Sequence, residues 1–312
     1  MRKTLRKTKQ RIKFLDNFQK ITKSISLLSA VKFQKINTLI KNIMINVFYC
    51  LSIFAEIQRR NPSVRKIVTN FVSAHSTNKT LIIVIASDRG LAGSFDQMIF
   101  NETDKLITNL QTKQSFIVGA IGKKADKYLK KKFSLAFSFT KIENVLARDL
   151  ALELIDYLDY LIEESKIDKI IVIFSKMTTK GFFVEPLQVY PFNIYNLDNL
   201  TTKILSSATL QELKKDFVNK YRFSTSRFKY ILEPNDVVLA NFILKKIMFL
   251  IIYAIILESQ ATLEFTRTIT MRRAYENSNN LKNKELIYYN KLRQQKITEE
   301  LIDLAKSGSL II

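Results

Sequence analysis

Two glycine-containing segments are the places where this sequence could hold a phosphate or a dinucleotide. Residues 119–124 read Gly-Ala-Ile-Gly-Lys-Lys, and a phosphate-binding loop also combines glycines with a lysine. Such a loop needs four residues between its glycines and a Ser or Thr after the lysine, whereas here two intervene and Lys124 follows. Residues 87–94 lack the Gly-x-Gly-x-x-Gly spacing of dinucleotide loops. We interpret both segments as turns between a strand and a helix.

Catalytic and metal-binding constellations are missing from the sequence. Cys50 is the only cysteine and His75 the only histidine, so the chain has neither an internal disulfide nor a Cys/His metal cluster. Cys50 lies in an apolar stretch and is interpreted as a small buried hydrophobe. We find no nucleophile with a neighbouring base and no paired-carboxylate site. We therefore expect a protein that is not an enzyme, with no catalytic residue, metal or cofactor.

The charge of the chain implies an acidic partner. Lys and Arg number 50 against 28 Asp and Glu, a formal net charge of +22. Nucleic acid, an anionic membrane and an acidic protein surface all fit that charge. The basic residues of the first 13 positions are not interleaved with aromatic side chains on which bases would stack, which favours a solvated helix face. A basic coiled-coil nucleic-acid-binding protein, with steeply salt-dependent DNA binding, is the alternative from a different class.

The apolar runs are short. The longest, residues 247–257, is bounded by Lys246 and Glu258 and falls below the roughly 20 residues of a membrane span. The first residues are basic and lack the apolar core of a secretory signal. We expect a soluble or peripheral protein.

The distribution of glycine and proline predicts two long terminal helices. All four prolines and five of the six glycines lie between residues 62 and 234, which leaves residues 1–61 and 235–307 without a strong helix breaker. Both flanks carry apolar residues at helical spacing. Helices of about 90 and 110 Å need each other for burial, so we predict an antiparallel coiled coil. In that pairing residue 25 lies near residue 275.

The middle of the chain alternates between strand-like and helical patterns. This alternation predicts a small α/β domain with a largely parallel sheet. Residues 195–222 look like an insert. The predicted fold is thus α/β plus a long coiled coil, in which antiparallel N- and C-terminal helices flank a small Rossmann-like domain. We place its boundaries at residues 1–61, 62–234 and 235–312. The strand-like runs are residues 81–86, 116–121, 169–174 and 182–189, and the helical patterns are 95–110, 123–132 and 147–165.

Four segments, in order, resemble the gamma subunit of F-type ATP synthases. Residues 18–25, with 28–32 after them, are similar to the family's Gln-Lys-Ile-Thr-Lys motif. Residues 87–93 resemble its Ser/Thr-Asp-Arg-Gly-Leu-Cys-Gly loop, and residues 230–234 its Tyr-x-x-Glu-Pro entry into the last helix. Residues 289–301 resemble its Tyr-Asn-Lys-x-Arg-Gln-x-x-Ile-Thr-x-Glu-Leu. The resemblance spans nearly the whole chain and agrees with the helix–α/β–helix organisation.

The resemblance implies a central rotor shaft that couples rotation to the conformations of catalytic beta subunits. It implies as partners an alpha3-beta3 hexamer, an epsilon subunit and a membrane ring of c subunits or an equivalent base, with no nucleic acid. The place it implies is peripheral, on the cytoplasmic face of the bacterial plasma membrane.

Specific residues take roles from the same resemblance. Arg293, Gln294 and Thr298 match positions that contact the catch loops of beta. Arg267 matches a further arginine of the same helix, and Lys23 a lysine near acidic loops of beta. Other matched positions belong to the family motifs and are expected to be structural: Gln19, Lys20, Thr22, Asp88, Arg89, Gly90, Gly93, Glu233 and Pro234.

The chain also departs from the family pattern. Ala92 stands where the family has Cys, Ser94 where it has Gly, and threonines replace small helix formers at Thr262 and Thr266. These departures leave open the rotor of a specialised F-type-like ATPase paralogue that is not used for ATP synthesis. The central stalk of a V-type or archaeal rotary ATPase also pairs its terminal helices, but the Asp-Arg-Gly loop and its α/β domain argue against it.

The first testable prediction concerns assembly. We expect the chain to copurify with alpha and beta subunits at one copy per hexamer, because a single asymmetric shaft serves one hexamer in the resembled family. Native mass spectrometry of the affinity-purified chain measures this stoichiometry. A stoichiometric homodimer without such partners would contradict the rotor hypothesis.

Overall fold

The computed structural model describes residues 2–61, 64, 79–111, 115–142, 146–164, 166–178, 181–191 and 231–308. The chain forms two compact units: residues 1–31 with 267–312, the terminal-helix unit, and residues 32–266, the sheet unit. The predicted insert at 195–222, and His75, lie outside the described residues.

Two long helices and a five-stranded sheet make up the described chain. Helix α1 is Arg2–Arg60 and helix α5 is Asp236–Gly308, so each contributes to both units. The predicted domain boundaries stay a prediction, although these helices end and begin next to them. The remaining elements are β1 (Lys79–Ile85), α2 (Phe95–Gln111), β2 (Ser115–Ile121), α3 (Lys123–Leu129), β3 (Leu135–Phe139), α4 (Ala147–Glu163), β4 (Lys169–Thr178) and β5 (Gly181–Tyr190).

The sheet is mixed, with strand order β3-β2-β1-β4-β5. The first four strands in this order are parallel, and β5 pairs antiparallel with β4 at one edge. Pro186 lies within β5, where the edge position tolerates a residue without an N–H. Strand β3 was not predicted. It is a short edge strand with exposed Ser138 inside it, so it lacks the continuous apolar run that marks the inner strands.

Strand β1 divides the core of the sheet unit into two layers because its side chains alternate between faces. Leu81, Ile83 and Ile85 face a core shared with α4 and with the parts of α1 and α5 in this unit. Ile82 and Val84 face a second core shared with α2 and α3. Burial on both faces explains why this strand is apolar at every position from Leu81 to Ile85.

Within the sheet unit, α1 and α5 run antiparallel and bury apolar faces, as predicted. Met44, Val47 and Phe54 of α1 belong to the same buried cluster as residues 247–257 of α5. Asn61 Nδ2, just after α1, donates a hydrogen bond to Oδ1 of Asp236, the first residue of α5 (3.5 Å). The helices therefore meet where one ends and the other begins.

In the terminal-helix unit the antiparallel pairing continues through polar contacts. Gln19 Nε2 donates to Asn279 Oδ1 (3.3 Å), and Ser26 Oγ to the Thr268 carbonyl (3.3 Å). The first contact places residue 25 near residue 273 and the second near 269, so the predicted partner, residue 275, is wrong by about half a turn to a turn and a half. Further cross-helix contacts join Ser278 Oγ to the Leu15 carbonyl (3.4 Å), Lys282 to Asp16 (2.6 Å) and Arg11 to Glu285 (3.0 Å).

Part of the apolar stripe predicted for this seam lies outside it. Ile21 and Leu28 of α1 are 57–59% exposed, and Ile287 and Leu301 of α5 are 60–71% exposed, whereas Leu292 is buried. Phe14, seven residues before Ile21, is 65% exposed. The positions of α1 that face α5 lie one residue further along: Thr8, Leu15, Gln19, Thr22 and Ser29 are buried. Heptad spacing identifies a stripe on a helix but does not say which surface covers it.

Both terminal helices contain a stretch that is long and apolar enough to cross a membrane by length and composition. One stretch lies within Thr4–Gln58 and is 33% buried in the structure; the other lies within Asp236–Ala305 and is 61% buried. Core helices meet the same criterion. The heavier burial in α5 fits a core helix, because residues 247–257 pack in the sheet unit.

Two glycines of the sheet unit differ in how much room the backbone around them leaves for a side chain. Gly122 and Gly181 both have positive φ, 101° and 131°, and a Cβ at Gly122 would lie 2.1 Å from the Ala86 carbonyl oxygen, whereas one at Gly181 meets nothing within 4 Å. Gly181→Ala should lose about 1–3 kcal/mol of unfolding free energy through backbone strain. Gly122→Ala should lose about 1–3 kcal/mol more through overlap. Urea unfolding of both variants measures this difference, and equal losses would contradict the crowding.

Candidate functional site

The loop after β1 is held by two carboxylates. Asp96 Oδ1 accepts from the Ser87 backbone N–H (2.9 Å), and Asp96 Oδ2 accepts from the Ser87 hydroxyl (2.9 Å). Asp88 Oδ1 accepts from the backbone N–H groups of Lys123 (2.9 Å) and Lys141 (3.0 Å). The loop is thereby tied to the start of α3 and to the turn after β3, the neighbouring elements along the sheet edge.

Lysine and glycine complete this loop without forming a phosphate site. Lys124 Nζ forms an ion pair with Asp96 (2.6 Å), and its backbone N–H donates to the Ser87 carbonyl (3.0 Å). The side chain that a phosphate loop would offer to a nucleotide thus holds the turn together instead. Gly93 has φ 58°, a conformation that glycine adopts at little cost, and Gly90 approaches Lys124 Nζ. Arg89 is exposed.

The early motif on α1 places some residues in the helix seam and others on the outside. Gln19 and Thr22 are buried in the seam, and the Thr22 hydroxyl donates to the carbonyls of Phe18 (2.9 Å) and Gln19 (3.1 Å). Lys20 is exposed and pairs with Asp16 (3.2 Å). Lys23 is exposed. The motif therefore combines residues that join α1 to α5 with cations that point outward.

Three predicted partner-contact residues lie together near the end of α5. Arg293, Gln294 and Thr298 are exposed. Gln294 and Thr298 share a helix face, since they are four residues apart and the Thr298 hydroxyl donates to the Gln294 carbonyl (3.0 Å). A guanidinium, an amide and a hydroxyl are thus presented to the outside, a set suited to polar contacts with loop backbone and carboxylates.

Arg267 lies in a different environment from these three. It is only 7% exposed, so this conformation offers a partner only a small part of its guanidinium. Four residues away on the sheet-unit side, Leu263 is buried in the core cluster shared with α2 and α3. The sequence did not indicate this burial. The pattern of apolar residues does not change around Arg267, so nothing distinguishes it from an exposed arginine on the same helix.

The entry into α5 has a cap that the sequence prediction missed. Glu233 and Pro234 are exposed and precede the helix. Asn235 Oδ1 accepts from the Val238 backbone N–H (2.8 Å), as an N-cap residue does, and Asp236 lies in the first turn. An Asn followed by an acidic residue at the start of an apolar-periodic segment is the signal that predicts such a cap.

Comparison with known proteins decides the family. The profile of the ATP synthase family matches residues 4–309. An ATP synthase gamma chain of Parabacteroides distasonis is 26% identical over 303 residues, covering 96% of each chain. One from a Wolbachia of Drosophila simulans is 28% identical over 310 residues, covering 97% of each. The chain belongs to the ATP synthase gamma-chain family.

The fold of this gamma-family chain agrees with that assignment. A chain of the Euglena gracilis mitochondrial ATP synthase, in a structure of its OSCP, F1 and c-ring, has TM-score 0.62 at 12% identity and covers all of this chain. A chain from the Tetrahymena thermophila central stalk and c-ring has TM-score 0.50 at 22% identity and covers 81%. Gamma chains are non-catalytic subunits, and this one is assigned accordingly. Across the described ranges no group of three His, Cys, Asp or Glu side chains is placed to hold a metal.

A buried carboxyl group of the gamma-family chain was also missed by sequence inspection. Glu258 of α5 is 7% exposed, and its Oε1 accepts from the Met177 backbone N–H of β4 (3.4 Å). Burial raises its pKa to about 7, partly offset by this hydrogen bond and by the nearby Lys176 cation. Burial in turn lowers the pKa of Lys176, against the carboxylates of Glu185 and Glu258. The available signal was a single charge ending the apolar run 247–257.

The raised pKa of Glu258 predicts how stability changes with pH. The folded chain keeps this proton above pH 4.5 while the unfolded chain releases it, so unfolding free energy falls as pH rises from about 4.5 to 7. Glu258 should account for a loss on the order of 3 kcal/mol across that window. Urea unfolding of the full-length chain at several pH values, compared with Glu258→Gln, measures this contribution.

The control is Glu276→Gln, which changes an exposed carboxylate paired with Arg272. It should keep the pH dependence of the unsubstituted chain. If Glu258→Gln also kept that dependence, the raised pKa of Glu258 would be refuted.

Proposed function

We propose that this chain is the central rotor shaft, the gamma subunit, of a rotary F-type ATP synthase or ATPase. The observation that carries the proposal is the family match over residues 4–309, together with antiparallel terminal helices beside a mixed sheet. The chain performs no chemistry itself. It couples rotation to the conformations of catalytic beta subunits.

The partners we assign follow from the relatives. The Euglena structure contains F1 and a c-ring, and we extend an alpha3-beta3 hexamer, an epsilon subunit and a c-ring or equivalent base to this chain. A complex on such a ring is membrane-associated, and we propose the cytoplasmic face of a bacterial plasma membrane as its place. Nucleic acid is not a partner in this proposal.

The exposed apolar residues of the terminal-helix unit support a shaft surrounded by protein. Phe14, Ile21 and Leu28 form a stripe of α1 that the polar seam with α5 leaves uncovered. Contiguous exposed apolar surface of this kind is typical of an interaction surface. Exposed apolar residues lie on α5 as well as on α1, and partner subunits that surround both helices would cover them all.

Coupling then rests on contacts that differ between beta conformations. A rotor shifts each beta subunit among its conformations only by the difference in its interaction free energy with each. The exposed side chains of Lys23, Arg293, Gln294 and Thr298 are proposed to make these contacts with acidic and catch loops of beta. Exposed ion pairs contribute about 0–1 kcal/mol each, which lets the shaft leave every position it reaches.

Arg267 is proposed as a different kind of contact. Because it is almost wholly buried within the chain, its role is to hold the local surface of α5 that beta meets, with only its exposed edge available to a loop. Substituting it is expected to alter the helix seam as well as the contact.

The sheet unit is proposed as Rossmann-like in its strand order but without a nucleotide site. The order β3-β2-β1-β4 of parallel strands matches the first four strands of the 3-2-1-4-5-6 order of that fold. The turns after β1 and β2 are filled by their own hydrogen bonds among Ser87, Asp88, Asp96 and Lys124. The rotor of a specialised F-type-like paralogue remains the alternative; ATP synthesis by the reconstituted complex under an imposed proton gradient separates a standard ATP synthase from it.

The role of the α5 end is tested by replacing Arg293 and Gln294 together with Ala. Loss of two exposed polar contacts, at about 0–1 kcal/mol each, should lower coupled ATP hydrolysis of the assembled complex about two- to tenfold. Raised salt should reduce the rate of the unsubstituted complex in the same direction, since the lost arginine contact is ionic.

The matched control lies ten residues earlier on the same helix. Asn283 and Lys284 are an adjacent amide and cation, both exposed, and their joint replacement with Ala should leave hydrolysis unchanged. Equal rates for the two double variants would remove Arg293 and Gln294 from the contact set.

A further inference from the structure

The contact between β4 and α5 is polar in the midst of an apolar core. Ser175 Oγ of β4 and Ser259 Oγ of α5 lie 3.2 Å apart. The Thr262 hydroxyl shares its hydrogen between the Glu258 carbonyl of its own helix (2.8 Å) and the Ser175 carbonyl (3.3 Å). The Met177 backbone N–H donates to Glu258 Oε1 (3.4 Å). These five residues, Ser175, Met177, Glu258, Ser259 and Thr262, are called the register key below.

The polar groups of the register key are removed from water. Ser175, Ser259, Thr262 and Glu258 are all buried. Burying hydroxyls and a carboxyl costs free energy even when hydrogen bonds form, and apolar side chains of similar volume would stabilise the core at least as well. Stability alone therefore does not explain a polar patch at this position.

Hydrogen bonds depend on the direction and distance between their atoms, and so make one relative position of two packed elements more favourable than its neighbours. Apolar burial is non-directional and proportional to area, so a helix packed by Ile255 and Ile256 alone gains similar free energy in neighbouring registers. Hydrogen bonds weaken steeply away from about 3 Å and a straight geometry. Glu258, Ser259 and Thr262 occupy positions i, i+1 and i+4 of α5 and contact two residues of β4, Ser175 and Met177.

A shift of α5 along or about its axis would break these bonds together. One residue of shift moves a helix by about 1.5 Å and turns it by about 100°. Ser259 and Thr262 would then lose Ser175, and Glu258 would lose the Met177 N–H. The Ser175 and Ser259 hydroxyls would lose each other and the Met177 N–H would lose Glu258, which is costly for buried polar groups, whereas the Thr262 hydroxyl would keep the Glu258 carbonyl as acceptor.

We propose that the register key fixes the axial and rotational position of α5 on the sheet, so that torque passes between the α/β domain and the shaft helix without slip. This inference rests on the proposed rotor function. It assigns Glu258, Ser259, Thr262 and Ser175 as positioning residues, which act through the helix and touch no partner subunit.

Two threonines of α5 give a matched comparison. The Thr262 and Thr266 hydroxyls each donate to the carbonyl four residues earlier (2.8 Å in both), but only Thr262 also reaches β4. In the reconstituted membrane complex we expect Thr262→Val to lower protons pumped per ATP hydrolysed about two- to tenfold while hydrolysis continues. Thr266→Val should leave that ratio unchanged. Equal ratios for the two variants would overturn the proposal.

Glu258 gives a second comparison that separates positioning from packing. Glu258→Gln keeps an oxygen for the Met177 N–H, whereas Glu258→Met keeps the volume and removes the acceptor. The Gln variant should pump normally from pH 6 to 8, and the Met variant should pump less per ATP at every pH. If the Met variant pumped normally with unchanged melting temperature, the carboxyl would have no positioning role.

A covalent bond across the contact tests the register directly. Ser175→Cys with Ser259→Cys places two thiols where the hydroxyls are 3.2 Å apart, and Cys50→Ala removes the only native cysteine. Combined with Thr262→Val, the oxidised disulfide should restore the pumping ratio, and dithiothreitol should lower it again. Failure of a quantitatively formed disulfide to restore the ratio would overturn the proposal.

Failure of the rotor function itself looks different. In that case the unsubstituted chain would not assemble with alpha and beta subunits, and no pumping ratio would exist to compare. A complex that assembles and pumps, yet responds equally to Thr262→Val and Thr266→Val, rejects the register key alone.

Discussion

Burial of the two long helices is the constraint on which the rest of this structure depends. Helices of 59 and 73 residues cannot be stabilised by backbone hydrogen bonds alone, and most helical stability in proteins comes from tertiary packing. In the sheet unit they bury apolar faces against each other and the sheet. In the terminal-helix unit the pairing combines a few buried apolar side chains, among them Leu15 and Met271, with amide, hydroxyl and ion-pair contacts, and other apolar residues remain exposed. The proposed partner subunits would therefore bury, in the terminal-helix unit, apolar surface that the chain buries for itself in the sheet unit.

The α/β domain contributes rigidity where the helices need a fixed base. Carboxylates hold its loops: Asp88 joins the turns after β1, β2 and β3, and Asp96 joins Ser87 to Lys124. These contacts occupy the turn at which a nucleotide-binding fold of similar strand order would hold a phosphate. Asp88, the aspartate of the family motif Asp-Arg-Gly, fixes the geometry of the loop by accepting these hydrogen bonds.

Elements with strong patterns were predictable from the sequence, and elements set by their surroundings were not. The terminal helices followed from missing glycine and proline, and β1, β2, β4 and β5 from continuous or alternating apolar residues. Strand β3 was missed because an exposed edge strand lacks that signal. The predicted apolar seam holds in the sheet unit and fails at Ile21 and Leu28 of the terminal-helix unit, because helical spacing identifies a stripe but not the surface that covers it. Arg267 matches a family position and Glu258 is a charge that ends an apolar run. Neither property reveals that the residue is buried, because its burial arises from packing between distant segments.

The pairing of the two chain ends has a consequence for biosynthesis. The apolar face of α1 that includes Met44 and Phe54 is buried by residues 247–257, and Asn61 meets Asp236, about 175 positions later. At ribosomal rates of about 5–20 residues per second, that face waits roughly 10–35 s for its cover. During this interval the nascent chain exposes the apolar face of a long amphipathic segment. The first helix to emerge is thus among the last to settle, and its need for chaperone protection is built into the topology.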